Sequence, residues 1–242
     1  MQIAFGAAPE RALPGDQFHS IICLDMDVHI SWYGQTCFRF SGRHSISVVT
    51  DPYSPDVGLT LPELHADIVT VSHHDGTCDY LPGVRGTFRL LDGPGEYEIS
   101  GVFVTGVSTF ADDKGGRVRG LNTVYAFDFD GTTICHLGRL GHVPTQSQVK
   151  NLGSVNVLLV PAGGGGSLTS TQASEVIGLF EPDIIVPMRY RVPGVLEDLE
   201  SLDHFLKEMG MEGMDSQETL TVSGGTTAEQ TDIVVLEPSG RD

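Results

Sequence analysis

The sequence has few basic residues and many acidic ones. Lys and Arg together number 14 against 32 Asp and Glu, which gives a formal net charge of −18. A surface of this charge repels nucleic-acid phosphates and anionic lipids, so we expect no nucleic acid and no membrane among the partners. A local basic site within the acidic surface is still compatible with this total.

The sequence also lacks long apolar runs and paired cysteines. No run approaches the roughly 20 apolar residues that cross a bilayer, and the N-terminus does not resemble a signal peptide. The four cysteines, Cys23, Cys37, Cys78 and Cys135, are far apart and form no CxxC pair. This spacing favours buried thiols in a reducing compartment over a disulfide framework, so we expect a cytoplasmic protein.

The sequence does contain 40% hydrophobic residues and 30 glycines, which is typical of a strand-rich globular domain. Short apolar runs separated by turn residues predict strands in the first part of the chain. Asp130-Gly131 predicts a hairpin turn between the last two of them. The predicted strands are Val28–Tyr33, Cys37–Phe40, Ser45–Thr50, Ile68–Ser72, Phe88–Leu91, Val102–Val107, Thr123–Phe129 and Thr133–Leu137.

The second half of the chain predicts helices that alternate with strands. Ser170 and Thr171 are candidate N-caps, and Gly163–Gly166 predicts a loop. The predicted helices are Gln146–Leu152, Thr169–Phe180 and Leu196–Met209, and the predicted strands are Val155–Val160, Ile184–Pro187, Thr219–Val222 and Ile233–Leu236. This order favours an α/β fold in which helices pack outside two face-to-face sheets.

The first 25 residues carry prolines and glycines without a sustained hydrophobic period. A strand-like run begins just after Met26. We therefore predict an N-terminal extension at residues 1–25 and a single domain at residues 26–242.

Eight segments between Met26 and Arg191 resemble the metallo-β-lactamase superfamily in order and spacing. They are Ile30–Phe38 (ISWYGQTCF), Thr50–Pro52 (TDP), Val69–His73 (VTVSH), Gly93–Glu98 (GPGEYE), Gly106–Phe110 (GVSTF), Gly120–Thr123 (GLNT), Cys135–His142 (CHLGRLGH) and Val186–Tyr190 (VPMRY). They are most similar to the branch of L-ascorbate-6-phosphate lactonase and related small metal-dependent hydrolases. The resemblance implies an αββα sandwich of two mixed sheets, with a metal site on loops at one edge.

The residues at the superfamily's metal-binding positions are mostly of other types in this sequence. These positions fall on His73, Asp75, Thr77, Cys78, Ala111, Arg139 and Arg189. Only His73 keeps the residue type of the family. Arg139 stands where the family has the Asp that bridges two metals, and Arg189 stands where it has the final His.

These replacements argue against the usual metal chemistry. A catalytic zinc takes three protein ligands and keeps one position for water. Arginine stays protonated and offers hydrogen-bond donors only, so it cannot serve as a ligand. We therefore expect no metal cofactor. The alternative is a single Zn or Mn held by the remaining candidates His73, Asp75 and Cys78.

Two interpretations are open for the first ligand loop. His73 and His74, with Asp75, form either a weakened metal site or a hydrogen-bonded remnant of one. Cys78 is either an inert buried thiol or a nucleophile, and the second role needs a nearby base or a lowered pKa.

Two interpretations are also open for the arginines. Arg139 and Arg189 either neutralise Asp75 and neighbouring carboxylates, or they bind an external phosphate or carboxylate through bidentate hydrogen bonds. In the second case, Gly163–Gly166 could add backbone N–H donors.

The preferred function is therefore that of a non-catalytic or altered superfamily member, an anion-binding or protein-interaction module. Its partner would be a small anionic molecule or another protein. The alternative is a metal-dependent hydrolase of a phosphorylated or lactone-like small molecule. Related proteins form homo-oligomers, which implies assembly here by analogy only.

Overall fold

The computed structural model describes residues 27–42, 46–224 and 231–240. The predicted extension at residues 1–25, with Cys23, lies outside these residues. The strands are β1 (Val28–Gly34), β2 (Cys37–Ser41), β3 (Ser47–Thr50), β4 (Leu64–His65), β5 (Ile68–Thr70), β6 (Val84–Arg85), β7 (Arg89–Leu91), β8 (Gly95–Ile99), β9 (Val102–Phe110), β10 (Leu121–Phe129), β11 (Thr132–His136), β12 (Val157–Pro161), β13 (Ile184–Met188), β14 (Ser216–Gln217), β15 (Thr219–Val222), β16 (Asp232–Ile233) and β17 (Val235–Leu236). The α-helices are α1 (Gln146–Leu152), α2 (Ser170–Phe180) and α3 (Leu202–Glu208).

Two mixed sheets form the framework. The first has the strand order β15-β1-β2-β3-β5-β7, and the second has the order β16-β13-β12-β11-β10-β9-β8. In the second sheet β8 to β11 are antiparallel neighbours, whereas β11, β12, β13 and β16 run parallel. The carboxyl ends of β11, β12 and β13 therefore meet at one edge, where α/β sheets commonly bind ligands.

The core lies between the sheets because alternate residues of each strand point inward. Ile30 and Trp32 of β1 are fully buried. The Phe40 ring of the first sheet meets the Phe127 ring of the second in an edge-to-face contact with centroids 5.3 Å apart. The helices pack outside, with α1 on β9, α2 on β12 and α3 on α2. This confirms the predicted sandwich.

The Asp130-Gly131 hairpin is also confirmed. Both residues have positive φ, as a two-residue hairpin turn requires, and β10 pairs antiparallel with β11 across it. None of the described helices is long and apolar enough to span a bilayer.

Three local predictions were wrong. The helix predicted at Leu196–Met209 begins only at Leu202. The strand predicted at Ile233–Leu236 is divided between β16 and β17, which belong to different sheets. The N-cap of α2 is Thr169, whose hydroxyl accepts from the backbone N–H of Gln172, and neither Ser170 nor Thr171 fills that role.

Backbone contacts explain why residues 196–201 are not helical. The N–H of Leu196 donates to the Val57 carbonyl at 3.0 Å, and the N–H of Glu200 donates to the Gly163 carbonyl at 2.9 Å. Since these bonds link the segment to distant loops, its leucine spacing does not produce a helix. Leu196, which a helix would bury, is 76% exposed.

Candidate functional site

The loops that follow β5, β11 and β13 converge at one edge of the sandwich. Asp75 comes from the first loop, Arg139 from the second and Arg189 from the third. Nη1 of Arg139 lies 2.6 Å from Oδ2 of Asp75, and both arginines contact the carboxylate of Glu197. The structure thus brings the loops of the sequence-predicted site together and adds Glu197 to them.

Hydrogen bonds fix the side chains of the loop after β5. Nδ1 of His73 donates to the Leu121 carbonyl at 2.8 Å, and its Nε2 faces Oδ2 of Asp75 at 3.8 Å. Oδ1 of Asp75 accepts from both the N–H and the hydroxyl of Thr77. Burial opposes ionisation of Asp75, but Arg139 and Thr77 outweigh it and hold the pKa of this carboxyl below its usual value.

Cys78 is a buried thiol in this loop. Its Sγ donates to the His73 carbonyl at 3.0 Å. Burial raises the pKa of the Cys78 thiol well above its usual range, and the nearby carboxylate of Asp51 adds to the shift. The thiol is therefore neutral at neutral pH, which supports the inert role over the nucleophilic one.

Arg139 is bound from both its backbone and its guanidinium. Its N–H donates to Oδ1 of Asn122 at 2.8 Å. Nη1 donates to Asp75 and to the Thr77 hydroxyl, and Nη2 donates to Oε1 of Glu197 at 3.2 Å. Burial alone would lower the pKa of Arg139, but the surrounding negative groups raise it above its usual value. This guanidinium is a permanent cation.

Arg189 is almost fully enclosed, with 1% of its side chain exposed. Nη1 donates to the Gly164 carbonyl at 2.7 Å and to the Ser167 hydroxyl, while Nη2 donates to the Gly165 carbonyl and to Glu197. Its Nε has no hydrogen-bond partner among residues 27–42, 46–224 and 231–240. Burial lowers the pKa of Arg189 to about 10, and the charge of Arg139 adds to the shift. Arg189 is still protonated at neutral pH.

The loop Gly163–Gly166 presents carbonyl oxygens to the site, which corrects the expectation that it would offer N–H donors. The carbonyls of Gly164 and Gly165 accept from Arg189, and that of Gly165 also accepts from Arg119 at 3.3 Å. Gly165 has φ +58°, and a Cβ there would lie 2.4 Å from Cδ2 of Leu199. Glycine is thus required for this loop to reach the arginines.

A pocket of about 260 Å³ opens beside the two arginines. It is lined by Gln35, Thr36, Asp56, Val57, Thr77, Cys78, Arg139, Arg189, Leu196 and Glu197. Gln35 is 7% exposed, and its Nε2 has no hydrogen-bond partner among the residues that the structure describes. Two buried donors, this amide and Nε of Arg189, therefore belong to side chains that line one small pocket.

The backbone is strained on both sides of this pocket. Gln35 has φ 49° and Arg189 has φ 51°, conformations that side chains other than glycine rarely adopt. The N–H of Arg189 donates to the Gln35 carbonyl at 3.1 Å, so the two strained residues support each other. Strain of this kind is concentrated at binding and catalytic sites.

Ala111, at another family metal position, contributes no polar group to the pocket. It is buried where the loop after β11 crosses the end of β9, and a Cβ on Gly141 would contact its backbone at 2.5 Å. His136 and His142 also hydrogen-bond to backbone groups rather than to the pocket. Nε2 of His136 bonds the Thr36 carbonyl, and Nε2 of His142 accepts from the N–H of Phe110.

The sequence did not point to Glu197, Gln35 or Ser167 as site residues. Glu197 lies in the segment predicted as helix, and its partner Arg139 is 58 residues away. Gln35 lies within a segment of the family resemblance, but it matched no metal position. For Ser167, the signal available was its place directly after the four glycines.

Comparison with known proteins identifies the family. The model of the beta-lactamase superfamily domain matches residues 29–189. The chain belongs to this superfamily. It is 34% identical to a metallo-β-lactamase superfamily protein of Thermotoga maritima, whose crystal structure covers 86% of this chain with a TM-score of 0.71. The alignment includes 98% of the Thermotoga chain.

Two archaeal proteins are also similar. A UPF0173 metal-dependent hydrolase of Thermoplasma volcanium is 24% identical over 71% of this chain and 87% of its own length. Igni18, a metallo hydrolase of Ignicoccus hospitalis, is 18% identical, covers 81% of this chain and 98% of its own, and has a TM-score of 0.59. The second similarity supports the fold alone.

Proposed function

We propose that this protein is an anion-binding member of the metallo-β-lactamase superfamily that does not use the family's two-metal chemistry. The observation that carries the proposal is the guanidinium of Arg139, which lies 2.6 Å from Asp75 at a position where the family resemblance implies the bridging Asp. A fixed cation there supplies positive charge without the Lewis acidity that would activate a water.

The donor set does not fit a two-metal centre. Oδ1 of Asp75 is bonded to Thr77, and Oδ2 is bonded to Arg139. Nδ1 of His73 is bonded to a backbone carbonyl, and Cys78 is a neutral thiol that donates to another. Within the residues that the structure describes, no three His, Cys, Asp or Glu side chains are grouped to hold a metal ion.

The same residues do fit an oxyanion. Arg139 and Arg189 place two charged guanidiniums on one pocket, and Gln35 adds an amide donor with no acceptor. Hydrogen bonds from charged donors to oxyanions are roughly twice as strong as those between neutral groups. A buried donor without an acceptor costs about 1–3 kcal/mol, so a bound oxygen would stabilise the site.

Each residue then has a role in binding. Arg139 and Arg189 hold the charge of the anion, and Gln35 orients one of its oxygens. Asp75 and Thr77 fix the orientation of Arg139, as the carbonyls of Gly164 and Gly165 do for Arg189. The ligand class that this arrangement suits is a small anionic molecule.

Thermal unfolding in the presence of inorganic phosphate tests this function. Ligand linkage predicts that phosphate raises the melting temperature, whereas chloride at the same ionic strength does not. The rise should vanish in the Arg139→Ala/Arg189→Ala double variant. Should that variant not fold, Arg139→Gln alone is expected to weaken phosphate binding at least tenfold. A flat response of the native protein to phosphate and sulfate would contradict the proposal.

A second candidate function is metal-dependent hydrolysis, which the names of the archaeal relatives favour. The candidate ligands for a metal ion are His73, Asp75 and Cys78. Oδ2 of Asp75 lies 3.8 Å from Nε2 of His73, and Oδ1 of Asp75 lies 3.8 Å from Sγ of Cys78. Elemental analysis of protein purified without added metal separates the two candidates. Stoichiometric zinc, manganese or iron would favour the hydrolase.

A further inference from the structure

Glu197 lies where an anionic ligand would be expected. A single oxygen, Oε1, accepts from Nη2 of Arg139 and from Nη2 of Arg189. The glutamate side chain is 32% exposed, whereas those of Arg139 and Arg189 are 14% and 1% exposed. The carboxylate thus enters the site from the solvent side and bridges two enclosed cations.

Backbone hydrogen bonds on either side of Glu197, rather than its side chain, hold the loop that carries it. Leu196 is bonded through its N–H to Val57, and Glu200 is bonded to Gly163. The side chain of Leu199 is buried between them. Glu197 can therefore rotate its side chain out of the site while the backbone on both sides stays in place.

The site has more donors than Glu197 uses. Within the described part of the chain, Oε2 of Glu197 accepts no hydrogen bond, and Nε of Arg189 and Nε2 of Gln35 are both without partners. One carboxylate oxygen cannot satisfy all the donors of the three side chains, Gln35, Arg139 and Arg189, that line this pocket. A group with three terminal oxygens, such as a phosphate monoester, offers enough acceptors for all of them.

The charge around the site also favours a dianion. Arg119 donates to the same Gly165 carbonyl as Arg189, so a third guanidinium adjoins the site. With Glu197 displaced, three arginines in and beside the site outnumber the carboxylates of Asp75 and the buried Asp51, whose charges act on Arg139. Asp56 at the rim is exposed and bonded to Ser54, so solvent screens it. A phosphate monoester carries about −1.5 to −2 charges at neutral pH, so this positive excess attracts it more strongly than it attracts a single carboxylate.

We propose that Glu197 is an internal competitor for the anion site, and that a phosphate monoester group displaces it to bind Arg139, Arg189 and Gln35. This inference rests on the proposed anion-binding function. It assigns phosphate monoesters to the site as the ligand class. It also predicts that Glu197 weakens the binding of every anion, and that a multivalent oxyanion binds strongly enough to displace it.

Calorimetric titration of inorganic phosphate into the full-length protein tests the inference. Glu197→Gln removes the competing charge and is expected to bind phosphate at least tenfold more tightly than the native protein. Asp198→Asn is the matched control, since it makes the same charge change at the next residue, whose exposed side chain makes no hydrogen bond or ion pair in the described part of the chain. Its affinity should stay within twofold of native.

A second variant tests the Gln35 contact. Asn retains an amide and tolerates the positive φ at position 35, but its shorter side chain cannot reach as far. Adding Gln35→Asn to Glu197→Gln should therefore lose most of the gain. Acetate serves as the carboxylate probe and is expected to bind at least tenfold more weakly than phosphate.

The outcomes separate this inference from the proposed function. If native protein binds phosphate and Glu197→Gln binds it no more tightly, Glu197 is not a competitor and the anion-binding function stands. If acetate binds as well as phosphate, the phosphate class is wrong. If neither native protein nor folded Glu197→Gln binds either anion, the anion-binding function fails as well.

Discussion

Asp75 and Arg139 form an ion pair at the centre of the site, and each neutralises the charge of the other. The resemblance places both at metal positions, and of the two interpretations open for the arginines, pairing with Asp75 is present for Arg139. The partner of Arg189 was not predictable in the same way. Glu197 has no counterpart among the metal-binding positions, and only the folded chain brings it to the two arginines.

Replacing Arg139 with Ala should destabilise the protein. The change leaves the carboxylate of Asp75, whose side chain is 27% exposed, without its cation, which is expected to lower the free energy of unfolding by roughly 1–3 kcal/mol. Arg85→Ala is the control, because the Arg85–Glu63 pair is exposed and should contribute about 0–1 kcal/mol. Denaturant unfolding measures both. Equal losses in the two variants would show that the Asp75 pair adds nothing beyond a surface contact.

Asp112 should make stability depend on pH in the acid range. Its carboxylate accepts from the N–H groups of Lys114, Gly116, Val118 and Arg119, and these bonds outweigh desolvation and lower the pKa of Asp112 to about 2. Because the folded pKa is below the usual 3.8, the stabilisation is full above that value and is lost as the pH falls towards 2.

The matched variant is Asp112→Asn, which does not titrate. The native protein should melt at a higher temperature than the variant at pH 5, and the gap should close between pH 4 and pH 2. A gap that stays constant over this range would mean that the carboxylate is not held by its four donors.

At the scale of elements, the pattern of apolar residues predicted most strands to within a few residues, because most strands are short apolar runs bounded by turn residues. The segment Leu196–Ser201 differs because its conformation depends on tertiary bonds to Val57 and Gly163, which no local pattern encodes. The leucines of this segment do have helical spacing, but Leu196 is exposed and Leu199 is buried in a loop.

The start of α2 gives a test at this scale. Thr169 and Gln172 form a reciprocal capping box, so Thr169→Ala should lower the free energy of unfolding by about 1 kcal/mol. Thr171→Ala should be neutral or slightly stabilising, since Thr171 lies in the exposed first turn and Ala favours helix. Thermal and denaturant unfolding of the two variants compare them. The reverse order would contradict the assignment of Thr169 as the cap.

For the whole molecule, the net charge of −18 hides a local excess of positive charge. The turn held by Asp112 carries Lys114, Arg117 and Arg119 and adjoins the loop of glycines beside the site. The composition of the chain argues against a general affinity for anions, but it cannot show where basic residues cluster in the folded protein. The order and spacing of the eight family segments were sufficient to predict the fold, whose sheets bring the loops together.

The central claim is that guanidiniums stand in this site in place of metal ions, and calorimetric titration of zinc into metal-free protein tests it most directly. The arrangement of Asp75, Arg139 and Arg189 predicts only the weak, non-stoichiometric heat of an acidic surface. One zinc bound per chain with submicromolar affinity, and lost in His73→Ala, would contradict it.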